Sequence, residues 1–249
     1  MSKVFISGSI SIKTLPACVK DSVKKIISQN MEILVGDADG IDSIIQNFCK
    51  SLGYSNITVY SIYPEPRYII AGFKSKFIPP ATESKRERER QVEKDMAMTM
   101  DSDFSLIIWD GKSKGSYRNA LRALENDKKV KLYLESEDRF FDQDKINKLE
   151  LEYIFRKNNG YTAAEVVEYL IGEGENFFKN TRDFNKCLTD NKIIKKDGDS
   201  YKACKGYEHL FIVERYKGKD TGIKFTNDFV DWIEKWIKEN KPPEQADLF

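Results

Sequence analysis

The sequence predicts an α/β fold: a doubly wound, Rossmann-like parallel sheet followed by a small α+β winged-helix-like domain. Three observations carry this. Short apolar runs alternate with stretches of helical period through the first half of the chain, the order that builds a parallel sheet with right-handed crossovers. Three of those runs end in turns rich in Gly, Ser and Asp. Past a charged stretch near residue 137 the pattern changes to three helical segments and a hairpin signal.

The first strand, residues 3–7, stops at Gly8-Ser9, and Leu15, Val19, Val23, Ile26 and Ile27 mark the helix after it. A second strand, 32–35, ends in Gly36-Asp37-Ala38-Asp39-Gly40. Ile41, Ile44, Ile45, Phe48, Cys49 and Leu52 then make a second helix closed by Gly53. Residues 56–60 read as a third strand, after which prolines 64, 66, 79 and 80 break the chain into an irregular loop of a kind that is usually functional or mobile. A highly charged helix over 83–100 follows, its face of Lys85, Arg86, Arg88, Arg90 and Lys94 interleaved with acids. The apolar strand 104–109, the turn 110–115, a helix through Leu121 and Leu124, and a fifth strand over 130–134 complete the first domain. The boundaries expected are 1–136 for this domain, 137–147 for a charged linker and 148–249 for the second domain.

In the second domain Leu149, Tyr153 and Ile154 share a helix, Thr162 caps another over 163–171, and 177–190 reads as a third. Asp197-Gly198-Asp199-Ser200 between two short strands is a hairpin signal. Strands over 210–216 and 222–225 precede a closing helix, 226–239, in which Trp232 and Trp236 share one core-facing side, and an acidic Pro-Pro tail.

Composition excludes several classes. With 40% hydrophobic and 33% charged residues the chain is globular, and 41 Lys plus Arg against 40 Asp plus Glu leaves nucleic-acid binding to a local patch. No apolar run reaches the ~18 residues of a membrane helix and the start lacks signal-peptide character, so the expectation is a cytoplasmic protein with no membrane partner. Four scattered cysteines and a single histidine, His209, predict neither a disulfide framework nor a metal site, and no cofactor is expected. His209 itself reads as structural.

In an open parallel sheet of order 3-2-1-4-5, ligands bind beyond the carboxyl ends of the strands, where the first and fourth lie side by side. The turns there place Gly8, Ser9, Gly36, Asp37, Ala38, Gly40, Asp42, Asp110, Gly111, Lys112, Ser113, Gly115 and Ser116 at helix N-termini, where backbone N–H groups and hydroxyls suit a phosphate. The alternative is that small residues merely make tight turns, with Asp39 as an N-cap and Asp37 and Asp110 in Asx turns. Neither GxGxxG nor GxxxxGK[ST] is present, which argues against an NAD dehydrogenase and a P-loop NTPase.

Phe5-Ile6-Ser7-Gly8-Ser9, the segment 35–42, Lys94-Asp95 with Met98, Asp103, and the segment 108–116 together resemble the SLOG superfamily. That group includes the LONELY GUY phosphoribohydrolases, the DNA-processing A proteins and the YspA/YpsA-like nucleotide-binding domains. The resemblance covers roughly residues 3 to 134 and implies a nucleotide or nucleotide-derived small molecule as ligand, with Lys94 joining the binding set. Against the RKxxM and PGGxGTxxE motifs of the phosphoribohydrolases, Lys94 stands in place of arginine and Asn119 in place of glutamate. Ile10 follows Gly-Ser where many relatives carry arginine. An amide is no general base, so hydrolysis would need a relocated carboxylate, with Asp42 and Asp95 the catalytic candidates and Asp37 and Asp110 behind them.

Segments 161–166, 177–186, 191–194 and 226–233 are similar to the KilA-C (ANT) domain of phage antirepressors, which implies a DNA- or protein-binding role in a phage or prophage regulatory or defence setting. Between Asn176 and Lys224 twelve Lys and Arg face seven Asp and Glu. Lys179, Arg182, Lys186, Lys195, Lys196 and Lys202 are the candidate phosphate contacts along one face. The reading is therefore a nucleotide-sensing first domain coupled to a DNA- or protein-binding second domain, in a homo-oligomer. The alternatives are a nucleotide N-glycosidase or phosphoribohydrolase that releases a base from a nucleoside monophosphate, and a pure interaction module.

Overall fold

A computed structural model describes residues 1–82, 86–141 and 146–240. Residues 83–85 of the expected charged helix, 142–145 of the expected linker and the acidic tail from 241 lie outside the described residues. The chain divides into two compact units, Met1–Glu152 and Tyr153–Phe249.

The first unit is a mostly parallel seven-stranded sheet with helices on both faces. Its strands are β1 (Lys3–Gly8), β2 (Glu32–Val35), β3 (Ile57–Ser61), β4 (Lys74–Phe77), β5 (Phe104–Trp109), β6 (Lys129–Leu134) and β7 (Arg139–Phe140), in the order β4-β3-β2-β1-β5-β6-β7. All pairings are parallel except that of β7 with β6. The expected five-strand order is the centre of this sheet, and the central strands are buried on both sides, as continuous apolar runs require. On one face Val4, Ile6, Ile33, Val35, Leu106 and Ile108 pack with Val19 and Val23 of α1 (Ala17–Ser28) and Ile41, Ile45 and Cys49 of α2 (Ile41–Ser51). On the other, Phe5, Leu34 and Tyr60 meet Met98 of α3 (Glu87–Asp101). α4 (Lys114–Glu125) joins β5 to β6.

Two strands went unread in the sequence. The proline-broken loop contains β4, whose Lys-Ser-Lys-Phe is exposed at every position and carries no burial pattern. The charged stretch expected as a linker contributes β7, and the Phe141 N–H donates to the Leu132 carbonyl, so pairing extends the first unit beyond residue 136. The division at Glu152 falls within α5 (Lys148–Asn159).

The second unit holds α6 (Ala163–Gly172), α7 (Thr181–Asp190), the hairpin β8 (Ile194–Asp197) and β9 (Ser200–Ala203), the hairpin β10 (Phe211–Tyr216) and β11 (Lys219–Phe225), and α8 (Asn227–Asn240). Thr162 and Glu165 form a capping box at α6. α7 starts later than expected because Asn180 caps it, accepting from the Arg182 and Asp183 amides, while Phe177 and Phe178 precede the helix as core aromatics. Phe184, Phe211, Phe225 and Phe229 form the centre of the core, and Trp232 and Trp236 pack at its margin against Tyr207 and Phe177. His209 is exposed on a short 3-10 turn.

Candidate functional site

A cleft of about 250 Å³ opens at the carboxyl ends of β1 and β5, on the α3 side of the sheet. The strand order reverses between these two strands, which brings the turns after β1 and β5 together: the Ser9 amide donates to the Ile108 carbonyl at 3.0 Å. One wall is a stripe of α3, Glu87, Gln91, Lys94, Asp95 and Met98, spaced as one helical face. The opposite walls are the ends of β1 and β2, with Ser7, Ile10 and Ala38, and the first turn of α2, with Asp42. Ser113, Gly115, Ser116 and Asn119 of α4 and its approach line the remaining side.

The glycines of the three turns do different work. A Cβ on Gly8 would lie 2.5 Å from Ile41 Cγ1 and 2.6 Å from the Ile108 carbonyl oxygen, so this glycine lets β1 pack against its neighbours. Gly36 would collide with Asp42 Oδ2 at 2.3 Å, and Gly40, at φ +80°, with the backbone of Ile10. Gly111 turns at φ +77°. Gly115 is the exception: a Cβ there meets only Ser113 Oγ, at 3.9 Å, and its φ is outside the left-handed region. No neighbouring atom demands glycine at 115. Its bare backbone on the first turn of α4 borders the cleft, ahead of the first i→i−4 bond from Tyr117 to Ser113.

Several of the expected phosphate contacts are engaged within the protein. Asp110 Oδ1 accepts from the Lys112 and Ser113 amides at 2.9 and 2.7 Å, and Oδ2 accepts from Ser11, an Asx-type turn that occupies the first donors of this loop and holds the Asp110 carboxyl below the usual range against the effect of burial. Fully buried Ser9 accepts from the Asp110 amide at 3.1 Å. Asp37, Gly36, Gly40, Gly111 and Lys112 do not line the cleft, whereas Gly8, Ala38, Asp42, Lys94, Asp95, Ser113, Gly115 and Ser116 do.

Charge is concentrated around Lys94, which is 4% exposed. Its ammonium lies 3.8 Å from Asp37 Oδ1 and 3.7 Å from Asp95 Oδ1. Burial alone would raise the Asp37 carboxyl, but hydrogen bonds from Arg67, Ser61 and the Arg67 amide, with Lys94 nearby, hold it below its ordinary value. Asp42 is the converse: burial, with Asp95 and Asp37 adding repulsion, pushes its carboxyl up to about 6 despite Lys94 and the Ala38 amide. Burial also raises Asp95, opposed by Lys94, Arg122 and a hydrogen bond with Asn119. Asn119 in turn accepts from Arg122 Nη1 at 2.7 Å.

Arg67 was not legible as a site residue. It sits in the loop between β3 and β4 and grips Asp37 through Nη2 at 2.8 Å and Nε at 3.3 Å, and this fixed guanidinium borders the cleft. Nothing near it in sequence signals that role, because its partner is thirty residues away. The α3 stripe had a signal in its helical spacing. Among the described residues, two polar groups of the cleft wall are buried without a hydrogen-bond partner, Ser7 Oγ and Gln91 Nε2. No group of three or more His, Cys, Asp or Glu among the described residues is placed to hold a metal ion.

The six basic candidates of the second unit are all exposed. Arg182 and Lys186 lie four residues apart on α7, while Lys179 precedes the N-cap Asn180 and is outside the helix. On the hairpin Lys195 pairs with Lys202, while Lys196 pairs with Tyr201 and so points to the opposite face. The six therefore do not share one face, and Lys202 is ion-paired to Asp197 at 2.8 Å. No described helix is long and apolar enough to cross a membrane.

No protein-family profile matches the chain, and no curated protein matches it. Among solved structures it is similar over 76% of its length to the molybdenum cofactor binding protein from the phototrophic bacterium Rippkaea orientalis, at 11% identity, a TM-score of 0.42 and 96% of that chain. It is also similar over 76% of its length to DNA processing protein A from Helicobacter pylori, a protein with a unique single-stranded DNA binding mode, at 18% identity, a TM-score of 0.37 and 81% of that chain.

Proposed function

We propose that the first unit binds a nucleotide or nucleotide-derived signal in the cleft between α3 and the ends of β1 and β5, with a phosphate against the first turn of α4. The second unit then contacts DNA or a protein partner. The observation that carries the ligand reading is Gly115. It is a glycine on the first turn of a helix that the surrounding atoms do not require, and it leaves backbone without a side chain beside a cleft whose Ser7 and Gln91 donors lack partners. The test is calorimetric titration with AMP and GMP. Gly115→Leu should lower affinity at least tenfold while circular dichroism stays unchanged, and undiminished binding would remove this cleft from consideration.

One observation favours a second reading, hydrolysis of an N-glycosidic bond. Asp42 lines the cleft with its carboxyl raised to about 6, a value suited to general acid–base work near neutrality. The binding reading expects no base release from nucleoside monophosphates. Chromatographic detection of free base with the native protein, abolished by Asp42→Asn, would make the hydrolase reading correct.

A further inference from the structure

The cleft does not end at Gly115. A side cavity of about 130 Å³ opens between α3 and α4, and Gln91, Asp95 and Gly115 line both volumes, so the two meet across these residues. Lys114, Arg118 and Arg122 recur every fourth residue along α4 and line the side cavity from one helix face; Arg88 faces them from α3. Four cations thus surround a space in which, among the described residues, the one carboxylate is Asp95, itself shared with Lys94.

Two of these charges, Arg88 and Arg118, are not explained by pairing. Among the described residues neither Arg88 nor Arg118 makes an ion pair. Arg122 is only 9% exposed, and burial with Arg118 alongside weakens its hold on a proton. Like charges gathered on a partly buried wall repel one another unless an anion arrives between them. The buried, unpartnered Gln91 Nε2 stands at the junction of the two volumes, where a ligand passing from one to the other would meet it.

We infer that the α3–α4 cavity is a second anion subsite and that the ligand of the cleft is a nucleoside diphosphate or a longer phosphate chain, bent over Gly115 with one phosphate on each side. The inference rests on the nucleotide reading of the cleft. It makes Arg88 and Arg118 specificity-determining residues for phosphate number, and both are exposed enough to be replaced without disturbing the core.

The experiment is calorimetry on the full chain with inorganic phosphate and pyrophosphate, AMP and ADP, and GMP and GDP, each at two salt concentrations. ADP or GDP should bind at least tenfold more tightly than its monophosphate, and pyrophosphate more tightly than phosphate, with the advantage shrinking at high salt. The double variant Arg88→Gln, Arg118→Gln should bring the diphosphate down to the affinity of the monophosphate and leave the monophosphate unchanged. Equal affinities in the native protein, or a ratio the double variant does not move, would overturn the subsite while monophosphate binding kept the cleft reading alive. Monophosphate binding indifferent to Gly115→Leu would instead overturn the cleft reading, and no binding of any probe would overturn both.

Discussion

Replacing Gly115 by alanine separates a glycine kept for folding from one kept for a ligand. The added Cβ meets nothing closer than Ser113 Oγ at 3.9 Å, an ordinary contact, and the backbone does not use a left-handed φ. The substitution therefore restricts the unfolded chain without straining the native one, a change worth about 0.4–1 kcal/mol of added stability. A position on the first helical turn places the gain toward the lower end. At roughly 2–4 °C per kcal/mol for a unit of this size, the melting temperature should rise by about 1–2 °C. Gly8→Ala is the control, since its Cβ would lie 2.5 Å from Ile41 Cγ1 and 2.6 Å from a backbone oxygen that cannot move aside. It should destabilise by about 1–3 kcal/mol or more. Thermal melts followed by circular dichroism, with urea titrations beside them, measure both. If Gly115→Ala proves as destabilising as Gly8→Ala, the glycine at 115 serves the fold and the case for a phosphate there collapses.

Three further outcomes are expected. Asp37→Ala removes a fully buried carboxylate from under Arg67 and Lys94 and should cost about 2–4 kcal/mol in urea unfolding, below the range for a wholly buried pair because Arg67 is 41% exposed; a loss under about 1 kcal/mol would mean the pair does not anchor the loop. Asp42, raised from 3.8 to about 6, holds its proton longer in the native state, so its contribution to stability falls as pH rises through that window and is constant above it. Asp42→Asn should accordingly gain on the native protein between about pH 4 and 6, reaching roughly 2 kcal/mol at pH 7 where the full difference corresponds to about 3, and parallel stability profiles for the two would contradict this. In gel-shift titrations of the full chain, Lys186→Ala and Lys195→Ala should each lower the salt slope by about 0.9, Arg182→Ala should relax sequence preference, and Lys202→Ala should matter less because Asp197 already engages it; no retardation at low salt would favour a protein partner for the second unit.

The parallel sheet was legible because buried strands write continuous apolar runs between helices of clear period, and the three turns followed from where those runs stop. β4 and β7 were not, since an edge strand of alternating Lys and Ser, or one of two residues, buries too little to pattern its sequence. The site was half legible. Turn chemistry located the cleft, but it could not say that Ser9 is occupied by the Asp110 amide and the Asp110 carboxyl by its own loop, or that Gly8 and Gly36 answer to neighbouring atoms. Arg67 and Asp37 meet only through the folded sheet. In the second unit the hairpin register, fixed by a two-residue turn at Gly198-Asp199, splits Lys195 from Lys196, a separation that charge counting along the chain conceals.

Asn119 shows how a single amide changes what the cleft can do. It is 5% exposed and stands between Asp95 and Arg122, accepting from the Arg122 guanidinium and hydrogen-bonding the Asp95 carboxyl. A glutamate or aspartate there could accept from Arg122 but, once ionised, would have no proton to give Asp95. Two carboxylates would then abut beside a lysine that already has Asp42 near it in the wall and Asp37 behind the lining, and one of them would keep its proton. The amide avoids this by donating to one neighbour while accepting from the other, which leaves Arg122 and its companions on α4 in excess over the acids of the side cavity. Placing a carboxylate at 119 would therefore not simply install a general base. It would draw Arg122 toward itself, raise Asp95 further and neutralise the cationic wall, trading the features that suit a phosphate chain for an acid whose proton is not free to leave.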